Sequence, residues 1–202
     1  MGADRERDNR GQRGRAARIM HSSLYPTLLL LMSIAMAAAP AAAAADDPLR
    51  ALKAAFIYKF TSFIDWPAAQ AGAPFVICVM ADPAMQAALV DLTVPARRVG
   101  ERVLRVRGLA GIDSIDGCQI LFIGTAAAGR LGAIARRSAG KPMLLVGDTP
   151  GFAGKGAAVE LFGKPDIFRK KVRLRFRIDP KALKGRGLTV SAQLYDVAEV
   201  VQ

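Results

Sequence analysis

The sequence predicts an α/β domain: a single three-layer sandwich with a central, mostly parallel sheet, helices on both faces, and an antiparallel hairpin near the C-terminus. Three observations lead there. The apolar runs FVICVM at 75–80, CQILFI at 118–123 and MLLV at 143–146 are too short for ordinary helices and carry no polar face, which fits strands buried on both sides. Helical spacing fills the segments between them, as expected of parallel strands joined by crossovers. Lys171 to Ile178 alternates cations with apolar residues, the pattern of a strand with one wet face.

In chain order, Leu52, Ala55, Phe56, Phe60, Phe63 and Ile64 recur at three- and four-residue spacing and predict a helix over Pro48–Ile64. It stops at Trp66-Pro67, because a residue before proline is pushed out of the helical region. A strand follows at Pro74–Met80, then a helix at Pro83–Val90 and a weaker alternating strand at Val99–Arg107. After the strand Cys118–Ile123, a helix over Arg130–Ser138 is stopped by Gly140 and Pro142, and Met143–Val146 forms the third apolar strand. Ala157–Phe162 and Lys171–Ile178 read as a hairpin around Gly163–Lys170. A last helix is expected over Ser191–Val201, with Ser191 as N-cap and Val190, Leu194, Val197 and Val201 as its buried stripe. No repeat or long linker divides the chain, so one domain is expected over residues 46–202.

Residues 1–45 read differently. Arg5, Arg7, Arg10, Arg13, Arg15 and Arg18 precede an apolar stretch, and small residues follow from Ala37 to Ala45. That order matches a secretory signal peptide that is removed. The rival is a transmembrane anchor, but the strongly apolar core from Thr27 to Ala39 falls short of the ~20 residues a spanning helix needs. Asp4, Glu6 and Asp8 are unusual in a signal, and a start at Met20 would remove them without changing the export expectation. The mature chain then has no membrane anchor and is expected in the periplasm.

The whole chain has 29 basic and 17 acidic residues among 202. Removing the six arginines and three acids of the leader leaves 23 against 14, so the folded part keeps a net charge of +9. Such a charge suits an acidic partner or anionic surface. Nucleic acid is not expected as a partner, since an exported protein rarely meets it.

Catalysis is poorly provided for. The one histidine, His21, lies in the leader, so histidine-based triads and imidazole metal ligands are missing from the mature chain, and no metal or cofactor is expected. Asp148 and Glu160 are the carboxylates best suited to acid–base work, but nothing in the sequence sets them across one cleft; a solvated loop acid and a strand-face acid is the simpler reading. Gly147-Asp148-Thr149-Pro150-Gly151 is similar to a GTPase switch motif, yet no Gly-rich loop ending in Gly-Lys-Ser/Thr accompanies it. A tight turn is the simpler reading there too.

LKAAFIYKFTSFIDWP, FVICVM, CQILFIG, VGDTPGFAGKG, RFRID and LTVSAQLYDVAEVV, taken in order, resemble the YfiR/HmsC family over essentially the whole mature chain. The resemblance implies a small exported α/β protein of the bacterial periplasm with no enzymatic activity. It also implies a partner, the periplasmic portion of an inner-membrane diguanylate cyclase, held inactive so that cyclic di-GMP synthesis and biofilm formation are restrained. It leaves room for a homodimer. The chain departs from the family at Arg173–Ile178, where relatives usually have a less basic strand ending in Glu-Ile-Asn, and in having one cysteine pair where some relatives have two. A periplasmic small-ligand-binding or sensor domain is the alternative.

Three groups are candidates for function. Cys78 and Cys118 are an even pair in an exported chain, which with the resemblance favours a disulfide over two inert thiols. Lys171, Arg173, Arg175 and Arg177 share one strand face and are candidates for partner binding; a plain solvated face is the competing explanation. Ile57, Tyr58 and Ile64 widen the apolar surface of the first helix beyond one stripe and are candidates for an interface, with core packing as the alternative.

Overall fold

In the computed structural model, which describes residues 47–67, 72–167 and 171–201, helices and strands alternate as the apolar runs require. The elements are α1 (Arg50–Phe63), β1 (Ile64–Asp65), β2 (Phe75–Met80), α2 (Pro83–Asp91), β3 (Arg98–Val99), β4 (Arg102–Leu109), β5 (Ile120–Ile123) and α3 (Leu131–Arg137). They continue with β6 (Leu144–Gly147), β7 (Val159–Asp166), β8 (Lys171–Ile178), α4 (Pro180–Lys184), β9 (Thr189–Val190), α5 (Ala192–Val197) and β10 (Glu199–Val200). Asp46–Gln202 forms one compact unit. The expected leader, 1–45, lies outside the described residues.

The fold is mixed α/β. Eight strands form one sheet in the order β10-β8-β7-β6-β5-β2-β4-β3, and β1 pairs with β9 in a separate antiparallel sheet. The β2–β4, β2–β5, β5–β6 and β6–β7 pairs are parallel. The β7–β8 hairpin is antiparallel, as the alternating sequence requires. Central strands bury both faces: Ile77, Val79, Ile120, Phe122, Leu144 and Val146 join one cluster with α1 and α2, while Cys78, Met80, Leu121, Ile123 and Leu145 join another with Leu131 and Ile134 of α3.

The differences from the sequence reading begin with α1. The buried face of α1 is Lys53, Ala54, Ile57, Phe60 and Thr61, a regular stripe that two polar residues disguise. Leu52 turns outward, 44% exposed, and Phe56 and Phe63 pack at the rim. The helix also ends earlier than Trp66-Pro67 alone requires, because Ile64 and Asp65 pair with Val190 and Thr189. The expected strand at 99–107 is a β3–β4 hairpin turning at Gly100, whose φ of +56° suits glycine.

At the C-terminus, the helix expected over Ser191–Val201 stops at Val197. Of its stripe Leu194 is buried, whereas Val197 is 55% exposed. Glu199 and Val200 leave the helix to pair with Arg177 and Ile178 of β8, where Glu199 meets cations. Ser191 stands at the N-cap but makes no capping bond with its side chain. The hairpin is longer than expected, since Gly163–Asp166 continue β7 up to the Asp166–Lys171 pair.

Cys78 and Cys118 are joined in a disulfide with Cα atoms 5.8 Å apart. The bridge ties β2 to the chain entering β5. Arg107, opposite Cys78 on β4, lies over it: its Nη2 donates to the Ser114 and Asp116 carbonyls at 3.1 and 2.8 Å and stands 3.3 Å from the Cys118 sulfur. The bond closes a loop of sequence separation 40. Loop entropy for that length gives about 4 kcal/mol, so Cys78→Ser with Cys118→Ser is expected to lower the urea unfolding free energy by an amount of that order. A loss below ~1 kcal/mol would show that the bridge constrains little in the unfolded chain.

Candidate functional site

The basic face of the hairpin follows from the period of β8. Leu174, Phe176 and Ile178 point to the core, and Phe176 meets the rings of Phe56 and Phe60 edge-on, with centroids 5.9 and 5.4 Å away. Lys171, Arg173, Arg175 and Arg177 therefore take the other face. Their partners across the ladder are Asp166, Lys164, Phe162 and Glu160, and Glu199 of β10 flanks Arg177.

These cations are unequally engaged. Arg177 Nη1 lies 2.7 Å from Glu160 Oε1 and its Nε 3.3 Å from Glu199 Oε2, with the guanidinium 4.0 Å above the Phe162 ring. Glu160 is only 1% exposed and also accepts the Ala153 amide. Arg173 pairs with Asp166 at 2.9 Å, and Lys164 with Glu199 at 3.3 Å. Arg175 is exposed and forms no ion pair with a described residue. Lys164, Lys171, Arg173, Arg175 and Arg177 face Glu160, Asp166 and Glu199, an excess of two positive charges. Beside them lies an open groove of about 240 Å³ lined by Lys164, Pro165, Asp166, Ile167, Arg173 and Arg175.

Two of the three apolar candidates are corrected. Ile57 of α1 and Ile64 of β1 are 0% and 4% exposed and belong to the core: the buried stripe of α1 runs through Lys53 and Ile57, and Ile64 pairs with Val190. Neither offers surface to a partner. Tyr58 is partly buried against the same core, with the Arg97 guanidinium 5.3 Å from its ring centroid.

Asp148 and Glu160 each have their own cation. Asp148 is not the solvated loop acid that the sequence suggested, whereas Glu160 is the expected strand acid, buried on β7. Asp148 Oδ2 lies 2.7 Å from Lys53 Nζ, which also meets Asp47 Oδ2 at 2.7 Å; the side chains of Lys53 and Asp148 are 11% and 14% exposed. Gly147 shapes this corner, since a Cβ there would come within 2.3 Å of the Phe152 ring folded back from the turn. Sequence reasoning missed Lys53. Its signal was a lysine in phase with Ile57 and Phe60, which an apolar-only stripe search discards.

The Lys53 cluster is electrostatically tuned. Burial pushes the Asp47 carboxyl up, but the hydrogen bond from Lys53, the Leu49 amide and the Lys53 and Arg50 charges outweigh it and hold Asp47 below its ordinary value. Burial pushes the Lys53 ammonium down, and its bonds to Asp148 and Asp47 more than reverse that. On the far side of the domain, the Lys141 ammonium, with Arg137, holds the exposed Asp116 carboxyl below the usual range.

Among the described residues no group of three or more His, Cys, Asp or Glu side chains is placed to hold a metal ion, and no helix is long and apolar enough to cross a membrane. A family model described as YfiR/HmsC-like matches residues 50–199. No curated protein matches the sequence. One similar solved structure is a conserved domain protein from Vibrio cholerae biovar eltor, at 11% identity and a TM-score of 0.47, covering 76% of this chain; this chain spans 60% of that one.

Two predictions follow from the ion pairs. Arg177→Gln leaves the buried Glu160 carboxylate without its cation and is expected to cost about 3 kcal/mol in chemical denaturation, whereas Arg175→Gln should change stability by less than ~0.5 kcal/mol. Equal effects would contradict the unequal engagement of the two arginines. The Asp47 contribution is present above its unfolded value of 3.8 and is lost as pH falls through its lower folded value. The Lys53 contribution is present below 10.5 and is lost as pH rises through its higher folded value. Lys53→Met should therefore remove the alkaline loss and shrink the acid loss; urea melts that keep both limbs would show that the cluster does not govern them.

Proposed function

The chain belongs to the YfiR/HmsC-like family, and on that premise we propose that it is a regulatory protein of the bacterial periplasm that acts by binding and performs no chemistry of its own. The partner is the periplasmic portion of an inner-membrane diguanylate cyclase. Binding holds the cyclase inactive, lowering cyclic di-GMP and restraining biofilm formation. Residues 1–45 act as the export signal and are removed.

The observation that carries this reading is the family match, which spans all but the first four and the last three residues of the compact unit Asp46–Gln202. The hairpin supports it with a face that has more cations than acids, suited to an acidic protein surface, where attraction speeds encounter and selects the partner. Arg175 contributes most directly, because its charge is not used by a described residue. Arg177 contributes least, being held by Glu160 and Glu199.

Deleting the gene is expected to raise cellular cyclic di-GMP. Restoring wild type should return it to the starting level, and Arg173→Gln with Arg175→Gln should return it only partly, with the fold unchanged by circular dichroism. Unchanged cyclic di-GMP in the deletion strain would overturn the repressor reading in favour of a ligand-binding or sensor domain.

A further inference from the structure

β8 has two backbone edges, and one of them is largely open. Toward β7 it pairs over its whole length, from Lys171 opposite Asp166 to Ile178 opposite Val159. On the other side β10 reaches only Arg177 and Ile178. Among the described residues no strand lies beside Lys171–Arg175 on that side.

Two contacts fix where the backbone groups point. The Ile178 carbonyl accepts the Val201 amide at 2.9 Å, so the backbone groups of Ile178 face β10. By the two-residue period of an antiparallel strand, the N–H and C=O of Leu174 and Val172 face the same way. Pro165 opposite Val172 agrees: a residue with no N–H suits a pair whose backbone groups turn away from each other.

An open edge is a template for another strand. Charge decides which one. Two copies of this edge laid side by side would set Lys171, Arg173 and Arg175 against the same cations, and like charges directly opposite are destabilising. A strand with acids at alternate positions is attracted instead, and Arg175 has no competing ion pair with a described residue. On the other face Val172, 53% exposed, offers apolar contact to the residues between the acids. The basic strand at the opposite end of the sheet differs, since Arg107 of β4 is engaged by the Ser114 and Asp116 carbonyls.

We infer that the outer edge of β8 from Lys171 to Arg175 takes up an extended segment of the partner protein as an added β-strand, its acidic residues alternating with apolar ones so that the acids meet Arg173 and Arg175. The inference rests on the reading that the protein acts by binding a protein partner. Main-chain hydrogen bonds supply affinity in this mode and the alternating side chains supply specificity.

The probe is a short peptide of alternating Glu and Val, offered to the purified full chain beside the same peptide with Lys in place of Glu. The Glu peptide should slow hydrogen exchange at the Val172 and Leu174 amides and bind at least about tenfold more tightly than the Lys peptide at low salt, with the gap narrowing as salt rises. N-methylation of the peptide backbone at alternate residues should weaken binding by roughly tenfold in one of the two phases, because it removes the donors that face β8. No protection at Val172 and Leu174, or equal affinity for both methylated peptides and the parent, would overturn the inference. A second arm uses the periplasmic portion of the cyclase with wild type and Val172→Pro, which removes an outward N–H and no bond to β7. Equal binding of the two proteins overturns the added strand while the regulator stands. If the cyclase binds neither and the peptide still protects the edge, the regulator reading fails and the edge site is upheld.

Discussion

A strand that is apolar on both sides cannot meet water on either, and β2, β5 and β6 impose that constraint on the rest of the domain. Ile120–Ile123 and Leu144–Val146 are 0% exposed, so helices must close over both faces. Strands with one polar face must then lie further out. β8, whose sequence KVRLRFRI alternates cations with apolar residues, and β4, whose sequence RVLRVRGL mixes three arginines among apolar residues, stand one place from each end of the sheet, next to the two-residue strands β10 and β3. The cations of the sheet thus lie toward its margins by the same rule that buries its centre.

Buried ion pairs within this frame act on register more than on total stability. Two charges taken from water recover their desolvation cost only with good geometry, and replacing such a pair by apolar residues is often neutral. Glu160 and Arg177 are directly opposite in the hairpin. Sliding β8 by one residue would turn its cations into the core, and sliding it by two would remove Arg177 from the buried carboxylate. Lys53 does the same for helix phase: its bonds to Asp148 and Asp47 fix which residues of α1 face the sheet. That is why Ile57 is core.

Legibility in the sequence followed this physics. The apolar strands, α2 and the hairpin could be read because their patterns come from burial on one side or both. The phase of α1 could not, since Lys53 and Thr61 occupy core positions through bonds to distant or local polar atoms. β1, β9 and β10 are two residues each and exist only through pairing partners elsewhere in the chain, so no local pattern marks them. α4 was legible and was overlooked: Asp179 caps it by accepting the Lys181 and Ala182 amides, with Pro180 at its first position. In the site, alternation revealed the four cations of β8. It could not reveal which were already occupied, because Glu160, Asp166 and Glu199 come from other strands.

The two basic margins show why pattern alone does not assign a binding role. On β4, Arg102 donates to the Ala73 and Pro74 carbonyls and stacks 5.1 Å from the Phe75 ring centroid, while Arg107 pins the loop over the disulfide. Those two arginines do internal work, leaving Arg105 as that strand's outward cation. On β8, Arg177 is held by the buried Glu160 and by Glu199, Arg173 is held by Asp166, and Arg175 is held by no acid among the described residues. A charge held by its own chain has little to offer another molecule, whereas one left facing solvent keeps its field for a partner. Arg177 is therefore the residue of this strand that holds the hairpin in register, while the exposed Arg175 keeps its charge toward solvent.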